Sequence, residues 1–278
     1  MRRVLAIALL WVAGLLPALA AAAYVQANSC SIGGSASTTC SVSLPSVAAG
    51  DSIIVLVGAI GNISTATISL SDSVSTTYTN VVPWANYPES SQAFTMGEFL
   101  ANNVAAGSHA LTVTLGTSES NWAATAIEVS GLLSTGSFDS YSTANAYGSS
   151  LSVTSPVPSE SGEFELAYAD ATATATWSAP LTSIAAGTKA SGYQTLTGST
   201  AVTSTVTAGG GTSFSGVVSL FKPSSSTGCT SDGYTATGAF AVPNGTSGAY
   251  WLQSGTFGTP NCSSTEYWQP KVGKFGVN

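Results

Sequence analysis

A chain of 278 residues with six Lys plus Arg, thirteen Asp plus Glu and one His is acidic, with formal net charge −7, and holds few of the side chains that carry enzyme chemistry. The acidic balance excludes ordinary nucleic-acid binding, which needs Lys and Arg to neutralise phosphates. A single histidine, His109, excludes histidine-based metal sites.

From the N-terminus, Arg2-Arg3 precede an apolar run from Val4 through Leu19, followed by the small-residue steps Ala18-Leu19-Ala20 and Ala21-Ala22-Ala23. This pattern predicts a secretory signal peptide over residues 1–23, with an uncleaved membrane anchor as the alternative. Its removal leaves four Lys against thirteen acids, 4 − 13 = −9. No later segment is apolar enough for a second span, so the expected mature protein is secreted or displayed at the cell surface, with no membrane span.

Export makes disulfides plausible for Cys30, Cys40, Cys229 and Cys262. Three pairings are open, and short-range closure favours Cys30 with Cys40 and Cys229 with Cys262. Neither pair has the two-residue spacing typical of structural zinc sites.

Period-two alternation predicts strands where Leu111, Val113 and Leu115 alternate with Thr112 and Thr114, and where Phe164, Leu166 and Tyr168 alternate with Glu163, Glu165 and Ala167. The run Ser52 to Ala59 is apolar on both faces and predicts a central strand covered on both sides. Further strands are expected at 66–71, 76–82, 93–100, 151–155, 193–197, 201–207 and 215–222. Only 121–132 has any helical character, from its alanines, and Val129, Ser130 and Gly131 weaken it. Many short strands without helical periodicity predict an all-β fold, an antiparallel β-sandwich of jelly-roll or Ig-like type. Composition shifts near Pro223. The expected organisation is a sandwich over 24–222, a linker over 223–228 and a small cystine-closed, Gly- and aromatic-rich module over 229–278.

Gly50-Asp51 before the apolar strand, S-D-S-V-S-T-T-Y around Asp72 and Tyr78, A-A-G-S-H-A-L-T-V-T at Ala105 to Thr114, A-I-E-V-S-G-L at Ala126 to Leu132, Phe138-Asp139 and a closing Phe221-Lys222 follow in order. This succession resembles a lectin-like, concanavalin-like β-sandwich domain of secreted bacterial proteins, over about residues 24–222. The resemblance implies fold and compartment and carries no catalytic motif. Two departures are Val74-Ser75, where a Gly-Asn is usual after the Asp72 turn, and the last fifty residues, which lie outside it.

For catalysis, a Ser-His-Asp arrangement would need His109, and no G-x-S-x-G elbow supplies the nucleophile. Gly209-Gly210-Gly211 has no following helix or lysine and reads as a flexible hairpin tip rather than a phosphate loop. Glu98 shares parity with Phe94, Met96 and Leu100, and Glu128 with Trp122, Ala124 and Ala126, which would suit the two carboxylates of a jelly-roll glycosidase or lyase. Strand-end acids that discourage edge pairing are the competing account.

Aromatics give the stronger signal. Trp84 and Tyr87 in V-P-W-A-N-Y-P-E, Trp177 after an Ala/Thr run, and Trp251 and Trp268 in the C-terminal module are candidate sugar-stacking rings, with core filling as the alternative for each. No cofactor is expected. Calcium is the one option, through turn residues Asp72, Asp139 and Asp170. Asn62-Ile-Ser, Asn244-Gly-Thr and Asn261-Cys-Ser match the N-glycosylation pattern.

The leading expectation is a non-catalytic secreted or surface protein that binds polysaccharide or another extracellular polymer. The others are a self-associating structural protein of a surface layer, filament or phage-like particle, and a glycosidase or lyase using Glu98 and Glu128.

Overall fold

The structure is a computed structural model and describes residues 21–89 and 92–224. The segment 1–20, and the module 229–278 with Cys229, Cys262, Trp251 and Trp268, lie outside the described residues. The elements are all strands: β1 (Ala23–Val47), β2 (Ser52–Ile60), β3 (Ile68–Asp72), β4 (Thr79–Asn86), β5 (Phe94–Ala101), β6 (Gly107–Ser130), β7 (Phe138–Thr154), β8 (Phe164–Trp177), β9 (Thr182–Ala185), β10 (Gly187–Thr195) and β11 (Thr203–Phe221).

They form two antiparallel sheets packed as a sandwich. The first has the order β1-β6-β2-β5-β4, with β3 also paired to β6, and the second has the order β7-β11-β8-β10-β9. Apart from β3, the two sheets use one topology twice: first strand, last, second, then the remaining two reversed. The match extends to the turns. Gly50 N and Val104 N donate to Val104 O and Asp51 O, while Gly162 N and Leu196 N donate to Leu196 O and Glu163 O.

Each sheet also folds over itself. Along β6, Leu111 to Leu115 pairs with β3 and with the C-terminal half of β1, whereas Trp122 to Val129 pairs with β2 and with the N-terminal half of β1. The ladder shifts register between Ser37/Glu119 and Thr39/Thr114. Ten residues of straight strand would span about 33 Å, yet Cys30 and Cys40, joined by a disulfide, have Cα atoms 5.8 Å apart. The strand therefore doubles back at Gly33-Gly34, where a positive φ at Gly34 lets the chain turn. Under this corner the Trp122 indole donates to Ser37 O at 3.1 Å. The fold-over encloses Val42, Leu44, Leu111, Val113 and Leu115 against Ile53, Val55, Val57 and Trp122.

The second sheet repeats this with β11, whose Val206 packs over Ala167, Ala169, Phe214 and Val218. The bend there falls at Gly209-Gly210-Gly211, between the Thr207 and Thr212 registers. These glycines form the corner of one continuous strand, not a hairpin tip, and the expected strands 201–207 and 215–222 are its two halves.

The remaining core lies between the sheets, where Ile54, Leu56, Met96, Leu100, Ile127 and Val129 meet Phe164, Leu166, Tyr168, Val217 and Phe221. Strand β2 thus has Ile53, Val55 and Val57 in one core and Ile54 and Leu56 in the other, as its two-sided apolar run requires. The alanine-rich 121–132 segment is strand as far as Ser130. Its even residues Trp122, Ala124 and Ala126 pack inside the first sheet's fold, and Ile127 and Val129 face the second sheet, so both faces are buried without a helical stripe.

Candidate functional site

Three places bring polar or aromatic side chains together. The first is the inner face of edge strand β7, largely uncovered among the described residues. Tyr141, Thr143, Asn145 and Tyr147 alternate outward along it, and Tyr141 and Tyr147 are 38% and 61% exposed. Six residues of strand set the two tyrosines about 20 Å apart. Tyr141 is backed by Phe138, ring centroids 6.4 Å apart, and Phe138 by Phe221 at 5.8 Å, so the platform rests on core. Across the strand, Asn145 Nδ2 donates to Pro88 O, which holds the loop after β4 against β7. That loop brings Tyr87, half-buried and donating to Pro83 O at 3.2 Å, toward Tyr141. Burial, then the proximity of Tyr141 and Glu98, push the Tyr87 phenol up to about 12, so it stays a neutral hydrogen-bonding group. The Asn86 side-chain oxygen beside it is buried without a partner among the described residues. A solvent-facing row of rings with amide and hydroxyl groups between them, and no lysine or arginine, suits a neutral polyhydroxylated ligand.

The second place is the interior between the sheets. Glu98 faces Leu56 and Val82 in register and is 1% exposed, with both carboxyl oxygens unpartnered among the described residues. Burial pushes its carboxyl up to about 8, against a smaller opposing effect of Ser219, so the group is neutral at pH 7. On the facing sheet Tyr168 donates to Asp170 Oδ1 at 2.9 Å, and Lys189 Nζ stands 3.2 Å from the same oxygen. Burial raises the Asp170 carboxyl, with Lys189 and Tyr168 opposing. Gly58 lies against this group: a Cβ there would meet the Tyr168 hydroxyl and stand 2.6 Å from Asp170 Oδ2. At the edge of the sandwich an open pocket of about 210 Å³, lined by Ser29, Ser31, Thr125, Thr188 and Lys189 among others, reaches the lysine.

The third place is the turn after β3. His109 Nδ1 is 2.7 Å from Asp72 Oδ2 and Nε2 is 2.9 Å from Ala105 O. Both partners are acceptors, so both ring nitrogens donate and the ring is an imidazolium. Burial lowers its pKa, but the Ala105 carbonyl and the Asp72 carboxylate outweigh that and hold it above the usual value. Asp72 also accepts from Tyr78 OH at 3.0 Å and Val74 N at 2.9 Å. These bonds tie the turn after β3 to the start of β6, which makes the cluster structural.

The residues singled out from the sequence separate accordingly. Glu98 and Glu128 do not converge. Glu98 points between the sheets, whereas Glu128, opposite Ile53 in register, points to the other side of the first sheet. There Glu128 accepts from Gln26 Nε2 at 2.6 Å and Ala48 N at 2.9 Å, and burial plus a hydrogen bond to Glu128 push neighbouring Asp51 up to about 6. A glycosidase needs both carboxyls on one ligand, so the paired-glutamate site is absent. Trp177 is a correction as well: 3% exposed, it packs in the fold of the second sheet and donates to Ala190 O at 3.2 Å. Trp84 is half-buried on β4, packed on the first sheet's core and bonded to Ile63 O at 3.3 Å. Tyr87 alone joins the exposed row.

The aspartates suggested for calcium are spread apart and engaged, Asp72 by His109, Asp139 by Lys222 at 2.9 Å and Asp170 by Lys189. Among the described residues no group of three or more His, Cys, Asp or Glu could hold a metal ion. Tyr141 and Tyr147 went unremarked in the sequence, although their six-residue spacing in S-Y-S-T-A-N-A-Y puts them on one face of any strand.

No family model, curated protein or solved structure matches the chain.

Proposed function

We propose that this chain is a secreted or cell-surface, non-catalytic β-sandwich that binds an extracellular polysaccharide through the tyrosine row of β7. The exposed pair Tyr141 and Tyr147, with Tyr87 beside the first and Asn145 and Thr143 between them, carries the reading. Aromatic faces stack on sugar rings, and the neighbouring amides and hydroxyls replace water on sugar hydroxyls. The Cys30–Cys40 bond supports an oxidising compartment. Ala22 is buried between the sheets and its carbonyl accepts from Thr195 Oγ1, so a leader ending before Ala22, shorter than the expected 1–23, keeps the sandwich whole. A concanavalin-like jelly-roll ancestry and a cystine in the C-terminal module belong to the same proposal. Screening the purified protein on a polysaccharide array tests it. Binding that Tyr141→Ala and Tyr147→Ala abolish supports the site, and no binding to any glycan removes it.

A second reading, assembly into a surface layer or filament, is favoured by the sheet edges. Strand β1 is an edge of 25 residues with no charged side chain, and edge strand β7 carries only Asp139. Natural edges normally carry charges that block pairing with another copy. Light scattering across a concentration series distinguishes this reading, since a protein that stays monomeric does not assemble.

A further inference from the structure

We infer that Lys189 and Asp170 are joined by an intramolecular amide bond between Lys189 Nζ and Asp170 Cγ, its formation assisted by Tyr168. The two residues are direct cross-strand partners on β10 and β8, and Nζ lies 3.2 Å from Oδ1. Their side chains are 9% and 0% exposed.

As an ion pair the arrangement is poor. A buried pair is tolerated when its hydrogen bonds are satisfied, yet apart from its 3.2 Å approach to Oδ1 the Nζ has no partner among the described residues, and Asp170 Oδ2 has none. An amide reduces both defects. The ammonium becomes a single N–H, both charges vanish, and the oxygen that leaves is the partnerless Oδ2. The oxygen that stays, Oδ1, keeps its bond from Tyr168 OH.

The step balances without any other reagent. Within the pair one proton passes from the ammonium to the carboxylate, whose pKa burial raises, giving neutral amine and neutral acid. The Nζ lone pair attacks Cγ, and negative charge develops on Oδ1, where the Tyr168 hydroxyl already donates, as an oxyanion donor must. The C–N bond forms, the Cγ–Oδ2 bond breaks, and Oδ2 departs as water with the carboxyl proton and one proton from nitrogen. The pocket beside Ser29, Thr125 and Lys189 gives that water a way out. The chain also contains its own control. Lys222 and Asp139 approach to 2.9 Å, but their side chains are 30% and 12% exposed, and there the carboxylate stays below its usual pKa despite partial burial, held by Lys222. That pair remains ionic.

Denaturation of the purified full chain, reduction, digestion and mass spectrometry test this. The expected product is a branched peptide joining the Asp170 and Lys189 segments, lighter than the two linear peptides by one water, while Lys222 is recovered as an ordinary linear peptide. Lys189→Arg abolishes the branch. Asp170→Asn retains it with loss of one ammonia instead of water, and Tyr168→Phe slows its accumulation in freshly synthesised protein. Recovery of Lys189 in a linear peptide with a free amine, from protein shown to be folded by its cooperative unfolding, overturns the inference.

Discussion

Replacing Gly58 by alanine perturbs the centre of the sandwich in a direction opposite to the usual one. In a strand, alanine ordinarily stabilises relative to glycine by about 0.5–1 kcal/mol, because the unfolded chain loses less entropy. At Gly58 the added Cβ would stand 2.6 Å and 2.7 Å from the two Asp170 oxygens and closer still to the Tyr168 hydroxyl. None of these atoms is the free end of a flexible chain, since both side chains are fully buried and bonded to one another. Forcing extra volume into a packed core costs about 1–3 kcal/mol, so the net expectation is a loss of about 1–2 kcal/mol. For a domain of this size that lowers Tm by about 2–8 °C. Denaturant titration followed by tryptophan fluorescence reads the change, with Gly209→Ala as control because nothing lies within 4 Å of a Cβ there. A Gly58→Ala protein as stable as wild type, or more so, would refute the close packing of β2 against β8.

Glu98, whose folded pKa stands near 8 against 4.5 unfolded, binds a proton in the folded state that the unfolded chain has released. Stability therefore declines as pH rises from about 4.5 to 8, by up to roughly 1.4 kcal/mol per pH unit, and Glu98→Gln flattens that slope in urea titrations across pH. His109 has a raised folded pKa, so its contribution is complete below about 6.5 and is lost as pH climbs through the folded value. His109→Gln lowers stability at pH 6 while removing this alkaline loss. Cys30→Ser with Cys40→Ser opens the corner of β1 and lowers stability by about 3 kcal/mol, checked by denaturation of the non-reduced protein.

Much of the fold was readable where hydrophobic contrast was strong. The two-sided run of β2 and the alternation at Leu111 to Leu115 and Phe164 to Tyr168 sit where their patterns demanded. The near pairing of Cys30 with Cys40 followed from loop closure alone. Strand β1 and the first half of β7 were missed because their Ser, Thr, Ala and Gly residues show little contrast between faces, as edge strands with one solvated side allow. Parity placed Glu98 with Met96 and Glu128 with Ala126 correctly. It could not say which face of a sheet each parity meets, and the two glutamates fell on opposite faces. The doubled topology also left a trace, in S-V-S-L-P at 41–45 and S-V-T-S-P at 152–156, each ahead of a Gly-acid turn into a buried strand. A repeat so short and so rich in serine is hard to separate from composition in a chain like this one.

Affinity electrophoresis of wild type and Tyr147→Ala through gels containing the glycan bound on the array shows whether the tyrosine row of β7 carries binding. Tyr147 is 61% exposed and supports no core contact, so the variant folds as wild type does. The glycan is expected to retard wild type and to leave Tyr147→Ala at its free mobility. Equal retardation of the two proteins would contradict that role of the row.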